Sequence, residues 1–241
     1  ADRFHEGVNL LNAVLETGDD DPEALTAGGL AYVRQGAFAD ALSLLDQARG
    51  RHPDHPAIAR THAAALWVDE RSTDPPPDML LTNEMMVLAG GLCAEDQLDR
   101  AAHVLQCAAD KDPFREDIWV MLGDVLSITG RFTKAENAVT AALGIHPAEP
   151  KACVLRATLA LQRGDLKAGW RLFESRFAYW RRDTPPRRFQ APRWTGDLGR
   201  DRTLMVWREE GVGDEIRFSG CLSMLAEQGF SRIIFECAPR L

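Results

Sequence analysis

The feature that most restricts the fold of this chain is a repeat of 34 residues. Windows 82–115 and 116–149 match when one is laid over the other, and residues 22–55 repeat the pattern. In each window, small residues alternate with large ones at helical spacing. Two antiparallel helices can pack closely only where a small residue on one helix lies opposite a large residue on the other. One helix pair cannot bury its apolar face alone, so the sequence predicts a stack of pairs.

Window 116–149 resembles the tetratricopeptide (TPR) repeat of bacterial proteins. The residues that carry this resemblance are Trp119, Leu122, Gly123, Phe132, Ala135, Ala142 and Pro147. The resemblance implies a mainly α fold, a TPR solenoid of helical hairpins, over residues 1–183. The rhythm is irregular at residues 71–81, where "RSTDPPPD" begins in place of a second helix. We expect the array to be offset or bent there.

In TPR proteins the first helix of each pair lines a concave groove, and the resemblance implies which positions are exposed there. They are Asn83, Met86, Val87, Gly90, Asp117, Val120, Met121, Asp124, Lys151, Val154, Leu155 and Thr158. This set is largely apolar, so it does not suit the TPR class that clamps a chaperone's C-terminal carboxylate with Lys, Arg and Asn. Two interpretations remain. Either these residues bind a protein or peptide, or they pack against one another and against residues 71–78.

Arginine and aromatic residues are interleaved from Trp170 to Trp194. Such a segment could bind single-stranded nucleic acid or a phosphorylated ligand, or it could be an ordered linker whose rings pack on the last helix while its arginines pair with the acidic repeats. The net charge of −8 repels polyanions, so we expect no nucleic acid and no membrane surface as partner. The five cysteines are widely spaced and form no C-x-x-C pair, which predicts neither a metal site nor disulfides. We expect a reducing, cytoplasmic location and no cofactor.

A different pattern begins at Thr203. A short apolar run is followed by a glycine turn, by apolar residues at helical spacing, and by a second apolar run, "RIIFEC". This order predicts a βαβ, Rossmann-like unit over residues 203–241, after a linker over residues 184–202. Asp214 is placed to cap the helix, and N–H groups at Gly211 and Gly213 are placed to hold an anion.

The order of these parts resembles bacterial TPR proteins that carry a glycosyltransferase-like domain related to the heptosyltransferases. The segments that carry this resemblance are "GWRLFESRF", "PRWTGDLGRDRTLMV", "EEGVGDEIRFSGCL" and "IIFECAPRL". The resemblance implies that Arg208 ends the strand before the substrate site. It also implies that Asp214 is the base that deprotonates the acceptor sugar. A purely structural helix cap at Asp214 is the alternative.

Such transferases hold the nucleotide of their sugar donor mainly in a second domain, which would need roughly 150 more residues. We therefore expect this chain to be a piece of a longer protein: an interaction scaffold without transferase activity of its own. Residues 3–18 fit the second helix of a repeat whose first helix is missing, which gives the same expectation. A two-stranded fragment cannot cover both faces of a parallel sheet, so we expect it to pack on the repeats, to be poorly ordered, or to pair with a second copy of the chain as a homo-oligomer.

Overall fold

The computed structural model describes residues 21–69, 78–179, 189–199, 201–209 and 211–239. The chain divides into two compact units, Ala1–Pro185 and Pro186–Leu241. The predictions made for residues 3–18, for residues 71–77 and for the middle of the arginine-aromatic segment lie outside the described residues.

The described part of the first unit is built from ten helices. They are α1 (Pro22–Gln35), α2 (Phe38–Arg51), α3 (Pro56–Asp69), α4 (Thr82–Ala94), α5 (Leu98–Lys111), α6 (Glu116–Ile128), α7 (Phe132–Ile145), α8 (Pro150–Gln162), α9 (Leu166–Phe173) and α10 (Arg176–Tyr179). Helices α1 and α2, α4 and α5, α6 and α7, and α8 and α9 pack as successive hairpins. The prediction of a mainly helical solenoid of hairpins is confirmed.

Helix starts and hairpin turns follow signals in the sequence. Helix α1 begins at Pro22, and the Asp21 carboxylate before it accepts a hydrogen bond of 3.1 Å from Ala24 N. In the α1–α2 turn Gly36 has a φ of 80°, a backbone conformation that favours glycine. Asp96 takes the equivalent place in the α4–α5 turn with a φ of 56°, which aspartate tolerates better than most residues.

Close contact within a hairpin depends on small residues that face large ones. A Cβ added to Gly29 in α1 would lie only 2.6 Å from Cδ2 of Leu45 in α2. Leu45 is fully buried, so a larger residue at position 29 would push the two helices apart. The buried residues form one continuous core from Leu25 in α1 to Leu159 in α8, and the repeats therefore share a single interior.

The predicted irregularity after α3 has a specific structural form. Helix α3 packs on α1, α2 and α4, but α1 also packs directly on α4. That second contact is so close that a Cβ added to Gly91 would lie 1.8 Å from the Val33 carbonyl oxygen. Arg60 of α3 binds the Glu84 carboxylate of α4 through its Nε, at 2.9 Å and 3.1 Å from the two oxygens. Helices α1, α3 and α4 thus all contact one another, and the regular stacking of hairpins is interrupted at this point.

The second unit contains two parallel strands joined by helices. Strand β1 (Thr203–Val206) pairs with β2 (Arg232–Phe235), and Leu204 lies opposite Ile233. Between the strands the chain forms α11 (Val212–Ser219) and α12 (Leu222–Ala226), in place of the single helix predicted. The order of strand, helical crossover and parallel strand is as the sequence predicts.

The predicted helix cap at Asp214 is wrong. Helix α11 begins at Val212, its N-cap is Gly211, and Asp214 is its third residue. The helix starts earlier because the carbonyl oxygen of Gly211 already accepts from the N–H groups of Asp214 and Glu215, at 3.0 Å and 3.2 Å. Asp214 therefore lies in the first turn, where its charge is favourable, but it does not cap the helix.

Aromatic residues of the arginine-aromatic segment have structural contacts in both units. In the second unit, the ring of Trp194 lies 5.6 Å from that of Phe230, and the ring of Phe189 lies 5.8 Å from that of Trp207. In the first unit, the Arg176 guanidinium lies 4.1 Å from the centre of the Phe177 ring. These contacts fit an ordered segment that packs its rings locally.

Candidate functional site

A groove of about 740 Å³ on the first unit brings together part of the predicted binding surface. It lies between α4, α6 and the start of α8. Its predicted members are Met86, Asp117, Val120, Met121, Asp124 and Lys151. It is also lined by Cys93, Asp96, Leu98, Glu116, Val125, Ile128 and Glu149, which the helix register did not predict.

The other predicted residues lie outside the lining of this groove. Asn83 is exposed at the start of α4, and Val87 and Val154 are half-buried. Leu155 was expected on the exposed face but is only 7% exposed. A Cβ added to Gly123 would lie 3.2 Å from Cδ2 of Leu155, so the leucine occupies the space that the missing side chain leaves.

The floor of the groove is apolar and continuous with the core. Val120 forms part of this floor and is 6% exposed, so the prediction that it is exposed is also wrong. Met86 and Met121 are half-buried and pack against the core cluster. Of these three residues, the two methionines therefore expose the most side-chain surface to the groove.

Residues in or next to the turns also line the groove, and the register of the groove helices alone could not place them. Asp96 follows α4, Leu98 begins α5, and Glu149 precedes α8. One sequence signal was available for Asp96, because it stands where the other hairpin turns carry glycine. Glu149 has a structural role as well, since its carboxylate accepts a hydrogen bond from Ala152 N and caps α8.

Two of the groove carboxylates are held in ion pairs. Lys151 Nζ lies 2.7 Å from Asp124 Oδ2 and joins α8 to α6. Arg115 binds Asp117 through two hydrogen bonds, of 2.6 Å and 3.1 Å, and donates a third of 2.6 Å to Asn83 Oδ1. The hydrogen bonds from Arg115 hold the pKa of Asp117 below its ordinary value. Arg115 therefore connects two residues that the sequence placed in the groove.

The Cys93 thiol also faces the groove. Burial raises its pKa, and the negative charge of Asp124 raises it further. Because only the thiolate is an effective nucleophile or metal ligand, Cys93 acts here as a small apolar side chain.

The candidate catalytic residues of the second unit lie around the carboxyl end of β1. Arg208 lies 3.8 Å from Glu215 Oε1 and 3.8 Å from Glu236 Oε1, so carboxylates already surround its guanidinium. The Glu215 side chain is 4% exposed and accepts a 2.7 Å hydrogen bond from Ala238 N. A Cβ added to Gly211 or Gly213 would meet nothing within 4 Å. Packing therefore does not explain why these two positions are glycine.

Among the described residues, no three His, Cys, Asp or Glu side chains are grouped closely enough to hold a metal ion. Within that same part of the chain, every helix is too short or too polar to cross a lipid bilayer.

A family model of the tetratricopeptide repeat matches residues 1–56, 26–74 and 94–150, which together make up more than half of the chain. The chain belongs to the tetratricopeptide repeat family. The hairpins of this TPR chain and the groove beside them are thus features of a repeat array. No part of the family match falls in the second unit.

Over 251 residues the TPR chain is 28% identical to Protein FlbA of Caulobacter vibrioides, a match that covers 82% of this chain and 41% of FlbA. It spans about two fifths of the length of that relative. Among solved structures it is similar to MamA MSR-1 C2, with 20% identity, a TM-score of 0.45 and coverage of 69% of this chain and 100% of that one. It is also similar to MamA 41-end from Desulfovibrio magneticus RS-1, with 17% identity, a TM-score of 0.46 and coverage of 75% and 88%.

Proposed function

We propose that this chain is a protein-interaction scaffold that binds a peptide, or an exposed segment of a protein, in the groove between α4, α6 and α8. The observation that carries the proposal is the groove itself, with its apolar floor and charged rim. A volume of about 740 Å³ accommodates several side chains but not a folded domain. An extended segment that inserts a few apolar side chains fits this shape.

Met121 is the residue at which to test this proposal. It lines the groove and is only half-buried, so a glutamate there places a charge against the ligand without entering the core. Val120 is less suitable, since a charge at a residue 6% exposed would destabilise the fold. Met224 offers a matched control, because it is 65% exposed and lies in the second unit.

The experiment is a selection of random dodecapeptides displayed on phage against the whole chain. We expect the selected peptides to lose binding to Met121→Glu and to keep it with Met224→Glu, while far-ultraviolet circular dichroism shows equal helicity. Peptides that bind both variants equally well would place the binding surface elsewhere and remove the groove from the proposal.

A second candidate function is the acceptor half of a sugar transferase, and one feature of the second unit favours it. Ligands of parallel βα units bind at the carboxyl ends of the strands, and Asp214 lies in the first turn of the helix that follows β1. In this candidate Asp214 is the base, and Arg208, Gly211 and Gly213 hold the substrate.

This candidate is tested by sugar transfer in the whole encoded protein with and without Asp214→Asn. An amide cannot accept the proton, so most turnover should be lost while the fold is kept. Equal turnover with aspartate and asparagine would remove the candidate.

The proposal also includes a reducing, cytoplasmic setting and the absence of a bound cofactor. All five cysteines are free, and they lie in both units. Self-association through the second unit stays a prediction, for which the exposed Met205 and Ile234 on its two strands are the side chains to examine.

A further inference from the structure

The groove has an uneven balance of charge. Among the described residues, its lining includes the carboxylates of Asp96, Glu116, Asp117, Asp124 and Glu149 but only one amine, that of Lys151. Lys151 is itself paired with Asp124, and Arg115, just outside the lining, is paired with Asp117. Among the described residues, none of the other three carboxylates forms an ion pair with a lysine or arginine, and Glu116 has only a longer-range attraction to Arg115, the residue before it.

These three carboxylates are available to a ligand to different degrees. Asp96 forms no ion pair with another described residue and is exposed in the α4–α5 turn. Glu116 has His146 Nδ1 at 3.9 Å, a weak contact between two well-solvated groups. Glu149 lines the groove, but its Oε2 accepts from Ala152 N, so only its other oxygen, Oε1, is free of that bond.

Asp96 and Glu116 lie toward opposite ends of the groove. Arg115, which immediately precedes α6, binds Asn83 at the start of α4, so α4 and α6 begin side by side. Glu116 is the first residue of α6, whereas Asp96 follows the end of α4. The apolar floor of Met86, Val120 and Met121 lies between these two carboxylates.

We propose that the partner segment is an extended, cationic peptide, with Arg or Lys on either side of one or two apolar residues. This inference rests on the proposed function of the groove and specifies its ligand. The apolar residues would cover the two methionines, and the flanking cations would meet Asp96 and Glu116. An acidic segment would instead face an excess of like charge at both ends.

The length of the groove sets the spacing of the cations. From Glu116 to Ile128, both of which line the groove, α6 rises by about 18 Å at 1.5 Å per residue. An extended chain advances about 3.3 Å per residue, so the two cations should be on the order of five residues apart. A peptide with adjacent cations would reach only one end.

The test uses three fluorescein-labelled decapeptides with the same central Leu-Val-Met and with arginine, glutamine or glutamate at two positions five residues apart. We expect the arginine peptide to bind the whole chain at least tenfold more tightly than the glutamine peptide in fluorescence anisotropy at about 0.05 M salt. The difference should nearly vanish at about 1 M salt, and the glutamate peptide should bind most weakly.

Two double variants that remove the same number of carboxylates distinguish the effect of the groove charges on binding from the effect of the protein's net charge. Asp96→Asn with Glu116→Gln removes two groove carboxylates, and asparagine tolerates the positive φ at position 96. Asp54→Asn with Asp110→Asn removes two exposed carboxylates that do not line the groove. We expect the groove variant to lose most of the preference for arginine and the control to keep it.

The outcomes distinguish this inference from the function on which it rests. If all three peptides bind alike and all lose binding to Met121→Glu, the groove binds peptides but the cationic preference is wrong. Equal loss of arginine-peptide binding in both double variants would also overturn the inference. If no displayed or synthetic peptide responds to Met121→Glu, the groove function itself fails.

Discussion

Lys151 Nζ lies 2.7 Å from Asp124 Oδ2, and this ion pair joins the first helices of two consecutive repeats across the groove. Both side chains are 39% exposed, so the pair should contribute only about 0 to 1 kcal/mol to stability. Its larger effect is to neutralise one groove carboxylate. The pair therefore affects the charge that a ligand meets more than it affects the fold.

Lys151→Met separates these two effects. We expect urea denaturation to show a loss in unfolding free energy below about 1 kcal/mol. At low salt the arginine peptide should bind the Lys151→Met variant more tightly than it binds the wild type, because Asp124 is then free to pair with the peptide. Weaker binding would indicate that the peptide needs the Lys151 side chain, contrary to the proposal.

Gly91→Ala should be among the most damaging small substitutions in the chain. The added Cβ would lie 1.8 Å from the Val33 carbonyl oxygen, which is backbone and cannot rotate away. We expect a loss of about 3 kcal/mol or more in urea denaturation. The control is Gly144→Ala in α7, where the new Cβ meets nothing within 4 Å and a gain of about 0.5 to 1 kcal/mol is expected. Similar results for both glycines would show that α1 and α4 separate easily.

Asp214 can be tested for its effect on stability as well as on chemistry. Because Gly211 is the N-cap and Asp214 only contributes charge to the first turn, Asp214→Asn and Asp214→Ala should each cost about 0.5 kcal/mol. A true cap would behave differently, with asparagine nearly neutral and alanine costing about 1 kcal/mol. Denaturation curves of the two variants, compared directly, decide between these patterns.

Glu215 should be essential for the order of the second unit. Its carboxylate accepts from Ala238 N at 2.7 Å, and Glu215→Ala would leave that buried N–H without its acceptor, at a cost of about 1 to 3 kcal/mol. Amide hydrogen exchange at Ala238 should become much faster. Glu227→Ala changes an exposed glutamate of the same unit and should leave that exchange rate unaltered.

The hydrogen bonds between Arg115 and Asp117 should make the stability of the fold depend slightly on pH. The pKa of Asp117 is lowered in the folded state by hydrogen bonds from Arg115, so its contribution is present above the ordinary aspartate pKa. That contribution is lost as the pH falls through the lowered value. In Arg115→Gln the carboxyl carbon of Asp117 should titrate at higher pH in NMR spectra. An unchanged titration would mean that Arg115 does not hold this carboxylate in solution.

The repeat architecture could be predicted from the sequence because its signals are local. Gly36 indicates a turn, and Gly29 indicates a large residue on the facing helix. The 34-residue period predicts the position of both within the repeat. The contact between Val33 and Gly91 could not be predicted in this way. It depends on how α3 lets two distant helices meet, and the repeat pattern contains no information on that packing.

The candidate site was predictable only in part, for a similar reason. Helix register gives the direction of Met121 and Asp124, but it cannot show that Leu155 turns into the space beside Gly123. It also omits Asp96, which reaches the groove from a turn. Register predicts which face of an element is exposed, whereas burial and turn contributions depend on the neighbouring repeats.

The direct packing of α1 on α4 changes how the array should come apart. In a regular solenoid each repeat touches only its neighbours, so repeats can unfold stepwise from either end. Here the loss of α1 would uncover α4 as well as α2 and α3, because all three pack against it. Helices α1 to α4 should therefore open together, as a single cooperative unit closed by a contact between residues far apart in sequence. Helices α8 and α9 have no such tie to a distant helix among the described residues and remain free to fray one after the other.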